Sequence, residues 1–589
     1  MPLRNSLPSA DVKDQASPEF QATGLSPLEK FFFVNPLREV YSRIRQPGGA
    51  DLLERLLREL RIDVQIAPED LERVPQTGPT LVVANHPFGI LDGAILTALM
   101  TRVRKDVKLL SNYLVAAIEE LAGMCIFVDP FEGASAHRRN VFGLRQAVSH
   151  LRNGGLLVMF PAGEVSHWQF RHGEVTDPEW SAAVARLVRW SGAPVVPVLF
   201  AGRNSFSFQA LGVVHPKLRT IQLPREFLNK AGKQIGLRIG TPVPAEKIAR
   251  INNDQLAASY LRWRTYLLRR RDTLLPHGAP LDHMCKVLPP ADREVVISEI
   301  KGLGPENELE ENREFQVFVA DAGRIPGTMT EIGRQRELAF RDVGEGTGKE
   351  IDLDRFDRHY KHLILWHKKD AQIAGGYRFA NTHEVVSIHG LQGLYTTTLF
   401  WIDPALFEHT GPALELGRSF IGRDYQKQFA PLLMLWKGIA RYLSRHPQTA
   451  VLFGPVSISS TYNRTSRELL FQFFQSQRAS LLAQWIRPKH PFRSRPVSDW
   501  ELRALRHVLD LEEMSSSIAE IERDGKGLPV LLRQYLKLGG ELLGFNVDKK
   551  FSSVLDGLIL VDLRKTDESR LQAYMGADGA AAFLEHHGA

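Results

Sequence analysis

Residues 78–245 alternate between short apolar runs and amphipathic segments. "TLVVA", "VKLLSNY", "CIFVD", "LLVMF", "APVVPVLFAG" and "QIGLRIG" read as strands. "ILDGAILTALMTRV", "ASAHRRNVFGLRQAVSHLRNGG" and "WSAAVARLVRWSG" read as helices, the second stopped by glycine. Strand–helix alternation predicts an α/β domain with a mainly parallel sheet. A helix over 254–271 closes this half. The stretch "DTLLPHGAPLDHMCKVLPPAD" (272–292) is rich in proline, lacks periodicity and reads as a linker. Beyond it, "FQVFVA", "LILWHK", "AQIAGGYRFA" and "TAVLFGPVSI", with a helix near 427–445, predict an α+β domain. No internal repeat relates the halves. The expected organisation is a disordered tail over 1–28, a first domain over 29–275, a linker over 276–292 and a second domain over 293–589.

Composition narrows the class. With 43% hydrophobic and 24% charged residues, the 589-residue chain has the make-up of a globular protein able to bury large cores. Two cysteines, Cys125 and Cys285, exclude a disulfide framework and a multi-cysteine zinc site. The first residues lack the apolar core of a secretion signal, and no run is long and apolar enough to span a bilayer. A cytoplasmic location is therefore expected. Net charge is +7 with a pI near 9.2, which suits an acidic protein, an anionic lipid surface or nucleic acid. No nucleic-acid motif is present, and clusters such as Arg269–Arg271 also read as solvated helix faces. The segment "PLEKFFFVNPLREVYSRIR" (28–46) mixes aromatic and basic residues. Pro36 interrupts it, and it reads either as an interfacial segment or as a packing helix.

The candidate chemistry of the first half starts at "ANHPFGILDG" (84–93), where His86 precedes Asp92 by six positions. A carboxylate that fixes the imidazole tautomer makes histidine an effective base. "FPAGEVS" follows a later strand, and its Gly163 permits a tight turn near a ligand. In order, NHP…D, "IFVD", "FPAGEVS" and "VPV" resemble the glycerolipid acyltransferases of the lysophospholipid type, over about 75–245. The resemblance implies that His86 deprotonates an acceptor hydroxyl that then attacks an acyl thioester. It implies that Asp92 orients His86, and that Phe160, Pro161, Gly163 and Glu164 hold the acceptor. Three departures are specific. Five residues rather than the usual four separate His86 from Asp92. Ala162 replaces the glutamate of the family's loop, with Glu164 two positions on. Pro130 stands where the family carries a phosphate-gripping arginine, leaving Arg138 and Arg139 as stand-ins. An acceptor without phosphate is the expectation.

In the second half, "RQRELAFRDVGEGTGKEIDLDRFDRHYKHLIL" (334–365) sets Arg336 and Phe340 ahead of Asp352, Asp354 and Asp357. Arg378 follows in "GGYRFA", and Glu415 and Arg418 in "ELGRSFIGRDY". This order resembles the N-acyltransferases that make lyso-ornithine lipid and, more distantly, the acyl-homoserine-lactone synthases, over about 295–565. The stretch 528–562 resembles the tail of the same family, some members of which carry a hemolysin label. The likeness implies a GNAT-like fold, a thioester of acyl carrier protein as donor and an amine as acceptor. Glu415 or Asp352 would hold a cationic end; Arg418 or Arg378 would hold a carboxylate or the carrier's phosphopantetheine. No metal and no cofactor beyond the carrier-bound acyl group is implied. Together the halves look like a bifunctional ornithine lipid synthase, attached peripherally to the cytoplasmic face of the inner membrane. The alternatives are a lysophospholipid acyltransferase with an accessory domain and a membrane-active, hemolysin-like protein.

Overall fold

A computed structural model describes residues 35–45, 49–112, 115, 118–128, 134–171, 173–271, 284–477, 480–494, 499–505 and 511–588. The expected tail and residues 276–283 of the expected linker lie outside these residues. The chain forms two compact units, Met1–Arg250 and Ile251–Ala589.

The first unit is built on a seven-stranded sheet. Its strands are β1 (Asp63–Gln65), β2 (Thr80–Ala84), β3 (Val107–Asn112), β4 (Cys125–Val128), β5 (Leu156–Met159), β8 (Val195–Ala201) and β9 (Gln234–Ile239). Between β5 and β8 a small hairpin pairs β6 (His167–Gln169) with β7 (Glu174–Thr176). The sheet order is β1-β9-β8-β2-β5-β3-β4. All pairs are parallel except β8–β9. Every residue of β2 and β5 is buried, as strands covered on both faces require. Helix Ile90–Val103 is apolar on all sides and buried from Leu91 to Met100. A helix buried that completely cannot show an amphipathic stripe. At the other end of the segment 28–46, Pro36 occupies the first turn of helix Asn35–Ile44, where its missing N–H costs nothing.

The second unit carries an eight-stranded sheet in the order β10-β11-β12-β13-β15-β16-β19-β18. The strands are β10 (Glu308–Glu311), β11 (Phe315–Asp321), β12 (Lys361–His367), β13 (Gln372–Asn381), β15 (Ala413–Ile421), β16 (Val451–Ile458), β18 (Glu541–Asp548) and β19 (Val554–Asp562). The short β14 (Phe400–Ile402) and β17 (Ile486–Pro488) pair separately. Within the eight strands only β15 and β16 run parallel. Helix Asp254–Leu267, read from sequence as the end of the first half, packs inside this second unit. Arg262 lies 4.2 Å over the Trp500 ring, and Arg271 pairs with Glu520 at 2.9 Å. The remnant of the expected linker also has fixed partners: the amides of Cys285 and Leu288 donate to the carbonyls of Gly348 and Glu350.

Candidate active sites

In a parallel sheet, ligands bind beyond the carboxyl ends of the strands. In the first unit that edge carries the loops after β2 and β5. Asn85, first in the β2 loop, donates its amide to the carbonyl of Phe200 at 3.0 Å and accepts the Phe200 amide at 2.7 Å. This clamps the loop to β8. His86 follows, with its backbone amide on Asp177 at 3.1 Å and its carbonyl accepting from Ser166 at 2.8 Å. Asp177 itself accepts from the Ser166 hydroxyl and from the Trp180 indole.

The imidazole Nδ1 lies 3.0 Å from Asp92 Oδ2. Asp92 is fully buried at the start of helix Ile90–Val103, and the same oxygen accepts the amides of Phe88 at 2.8 Å and Gly89 at 3.0 Å. The two amides fix the carboxylate, and its pairing with Nδ1 orients the ring, so Nε2 is the nitrogen left to work. Burial raises the Asp92 carboxyl above its ordinary value, opposed by His86 and the two amides. The longer His–Asp spacing is absorbed at Gly89, whose φ of +76° gives the chain a turn that L-residues rarely adopt. The His86 side chain keeps 18% exposure, enough to meet a substrate.

From the β5 loop, the Phe160 ring packs against the imidazole with centroids 4.4 Å apart. Pro161 accepts the Ser181 amide, and Gly163 closes a turn onto the Phe160 carbonyl with φ of +69°. Glu164 is half-exposed and pairs with Arg219 at 2.5 Å. The loop thus carries a carboxylate–guanidinium pair where the sequence suggested a lone acid. Arg219, from helix Pro216–Leu228, had no sequence signal. Arg138 and Arg139 fall on helix Ala134–Arg152, but their side chains, like Pro130, lie outside the described residues.

In the second unit, β15 and β16 pair only through Ala413–Val451, Leu414–Leu452 and Glu415–Phe453. Gly454 keeps the backbones close for one more step: a Cβ there would meet the Leu416 carbonyl. Beyond this point β15 follows β13 and β16 follows β19, so the parallel strands part. Opposite Tyr377, β15 has a bulge in which Arg418 adopts φ of +52°. The bulge interrupts the β13–β15 ladder and bends β15.

The six residues singled out from sequence, Arg336, Asp352, Asp354, Arg378, Glu415 and Arg418, converge beside this opening. Arg336 pairs with Asp357 at 2.8 Å. Arg378 pairs with Asp354 at 2.7 Å and Asp357 at 3.2 Å, between the rings of Tyr360 and Tyr395. Arg418 pairs with Asp352 at 3.1 Å and Asp354 at 3.5 Å, with the Phe551 ring 4.4 Å away. Glu415 accepts the Tyr360 hydroxyl and the amides of Thr396 at 2.6 Å and Tyr395 at 3.2 Å. Burial raises the Glu415 carboxyl, while Arg336 and Arg378 hold Asp357 well below the carboxylate range. Arg336, Arg378 and Glu415 are each 1% exposed. Their charges are spent on interior partners, and they brace the loops around the opening. Asp354 and Arg418 keep 24% and 11% exposure and form the network's accessible edge.

Sequence reading missed three members of this region. Tyr360 and Tyr395 link Glu415 and Arg418 across the fold. Glu345, in the "GEGTG" loop after helix Pro326–Asp342, is buried and accepts the Ser457 hydroxyl of β16 at 2.7 Å. Glycines flanking a single acid were the available signal.

Known proteins match both halves. The acyltransferase family profile matches residues 55–274, and the acetyltransferase (GNAT) domain profile matches residues 335–437. The glycine N(alpha)-acyltransferase of Bacteroides thetaiotaomicron is 29% identical over 286 residues, 46% of this chain and 83% of that protein. The lyso-glycine lipid O-acyltransferase of Phocaeicola vulgatus is 31% identical over 204 residues, 33% of this chain and 70% of that protein. The chain belongs to the acyltransferase family, with an acyltransferase domain in its N-terminal half and a GNAT domain in its C-terminal half.

Proposed function

We propose that the chain makes an amino-acid lipid in two acyl transfers. The second unit joins a 3-hydroxyacyl group from acyl carrier protein to the amine of an amino acid. The first unit then acylates the new hydroxyl, with His86 as base and Asp92 as its partner. The observation that carries this reading is the match of one chain to relatives named for each of the two steps, an N-acyltransferase and a lyso-lipid O-acyltransferase. Both relatives are named for glycine, which makes glycine the second reading of the acceptor. Ornithine is proposed because it adds an ammonium. Around the β15–β16 opening, Asp352, Asp354 and Asp357 pair with three arginines, whereas Glu345, Asp548 and Asp556 pair with no further arginine among the described residues and offer hydrogen-bond acceptors to a second amine.

The donor proposal rests on charge: a basic chain attracts an acidic carrier protein and speeds encounter. Among the described residues no helix is long and apolar enough to cross a membrane, so contact with the inner membrane is proposed as peripheral. The test is lipid mass spectrometry of cells expressing this chain alone, followed by purified protein given carrier-bound 3-hydroxyacyl groups with ornithine or glycine. A diacylated ornithine lipid supports the reading. A glycine lipid replaces ornithine with glycine, and a phospholipid product overturns the reading.

A further inference from the structure

Beyond the point where β15 and β16 part, β16 presents Ser457 directly opposite Asp556 of β19, and Asp556 lies opposite Asn546 of β18. Residues paired in this way share a face of the sheet. Asp548, two positions after Asn546, shares it too. Glu345 reaches the same row from its loop through the Ser457 hydroxyl. Glu345 and Asp556 are 8% and 5% exposed. Asp556 Oδ2 has no hydrogen-bond partner among the described residues. The same is true of the Asn546 amide nitrogen, 1% exposed and beside Asp556 in the row. Buried polar atoms are rarely left unpaired unless something else binds them. Arg418 faces this row from β15, but it is already committed to Asp352 and Asp354.

We infer that this row is the seat of the acceptor amine, with Glu345 as the catalytic base that deprotonates it and Asp556, through its unpartnered Oδ2, as the hydrogen-bond acceptor that positions it. The inference rests on the N-acylation reading of the second unit. The acceptor arrives as R–NH3+, and Glu345 takes one proton, freeing the nitrogen lone pair. The nitrogen attacks the thioester carbonyl carbon at the strand opening and forms the C–N bond. As the C–S bond breaks, the sulfur leaves with the electron pair and takes up the second amine proton. Amide and thiol result, and Glu345 returns its proton to solvent.

The surroundings suit this task. Burial pushes Glu345 up to about 7, partly offset by Ser457 and Arg418. Burial, together with Asp548 and Glu345, also holds Asp556 well above the carboxylate range. Other titratable neighbours are Tyr395, on Arg418, and Tyr462, whose hydroxyl is raised by burial first and then by Glu522, Asp524 and Glu345. A base poised near neutrality combines the right protonation state with driving force for transfer.

The experiment measures N-acylation by the full-length chain against pH, with carrier-bound 3-hydroxyacyl donor and ornithine. O-acylation of supplied lyso-lipid serves as the folding control. Wild type should show a rate rising through pH 7. E345Q should lose about 10²- to 10⁴-fold in rate along with that limb, and E345D should restore part of it. S457A, which removes a hydrogen bond that lowers the carboxyl's pKa, should move the limb to higher pH. D556N should raise KM for the amine more than it lowers kcat. Should E345Q lose O-acylation as well, S457A alone decides. An unshifted limb in S457A, or an E345Q enzyme that keeps its rate and its limb, overturns the assignment. A wild-type chain that acylates no amine overturns the N-acylation reading instead.

Discussion

Replacing Asp92 by asparagine tests whether charge, and not only orientation, drives the first site. Oδ2 accepts the amides of Phe88 and Gly89 and pairs with His86 Nδ1 at 3.0 Å. The asparagine must therefore place its oxygen there, and its nitrogen takes the position of Oδ1, which has no hydrogen-bond partner among the described residues. Ring orientation and tautomer survive, and only the negative charge is removed. Two unit charges about 4 Å apart attract by about 4 kcal/mol at an effective dielectric of about 20. The neutral hydrogen bond keeps part of that, so about 3 kcal/mol of support for the imidazolium should be lost. At 1.4 kcal/mol per decade this is about a 10²-fold fall in O-acylation. The assay follows O-acylation of synthetic lyso-lipid by purified protein, with N-acylation as the internal control. A fall of less than about tenfold would mean that Asp92, already raised by burial, works uncharged and only orients His86.

The elements legible from sequence were those with local signals. "ILDGAILTALMTRV" matches helix Ile90–Val103 residue for residue, and the apolar runs of β2, β5 and β8 stand where alternation put them. The β15 strand was not read as one. Its "GRSF" segment is bulged at Arg418, and a left-handed arginine breaks the alternation that marks a strand. Charged residues were legible as types, but their partners were not. Arg378 meets Asp354 24 positions away, and Glu415 meets Tyr360 55 positions away. Only sheet closure decides that such groups meet. The division into compact units differs from the boundary drawn at 272–292 by proline and lack of periodicity, whereas the acyltransferase family match runs to residue 274. Helix Asp254–Leu267 instead contacts an element more than 200 residues later, through Arg262 and Tyr266 on Trp500.

Four further outcomes follow from the same geometry. H86A should lower O-acylation by about 10²- to 10⁴-fold and leave N-acylation intact, so that lyso-lipid accumulates in cells; loss of both activities with the fold intact would refute separate sites. G454A should abolish N-acylation and spare O-acylation, because its Cβ would collide with the Leu416 carbonyl and force β15 from β16 at the opening; an unaffected N-acylation rate would argue against chemistry there. His362, buried beside Arg336, is lowered from 6.5 to about 4. The unfolded chain therefore binds the extra proton between these values, so stability falls as pH drops from 6.5 to about 4, by about 3 kcal/mol; denaturant titrations of H362Q should lack that loss, and an unchanged pH dependence would refute it. Finally, the position of a cut decides whether the halves survive separation. A break near residue 285 strips the second unit of helix Asp254–Leu267, uncovers Trp500, which Arg262 and Tyr266 contact, and leaves buried Glu520 without Arg264 and Arg271. Removing one side of a buried ion pair typically costs about 3–5 kcal/mol, a large share of a domain's stability. A break between Arg250 and Ile251 keeps those partners together. Expressed from 251 onward, the second unit should be soluble and N-acylate ornithine, whereas the piece from 290 onward should aggregate or melt many degrees lower. Equal stability of the two pieces would show that the helix belongs with the first unit after all.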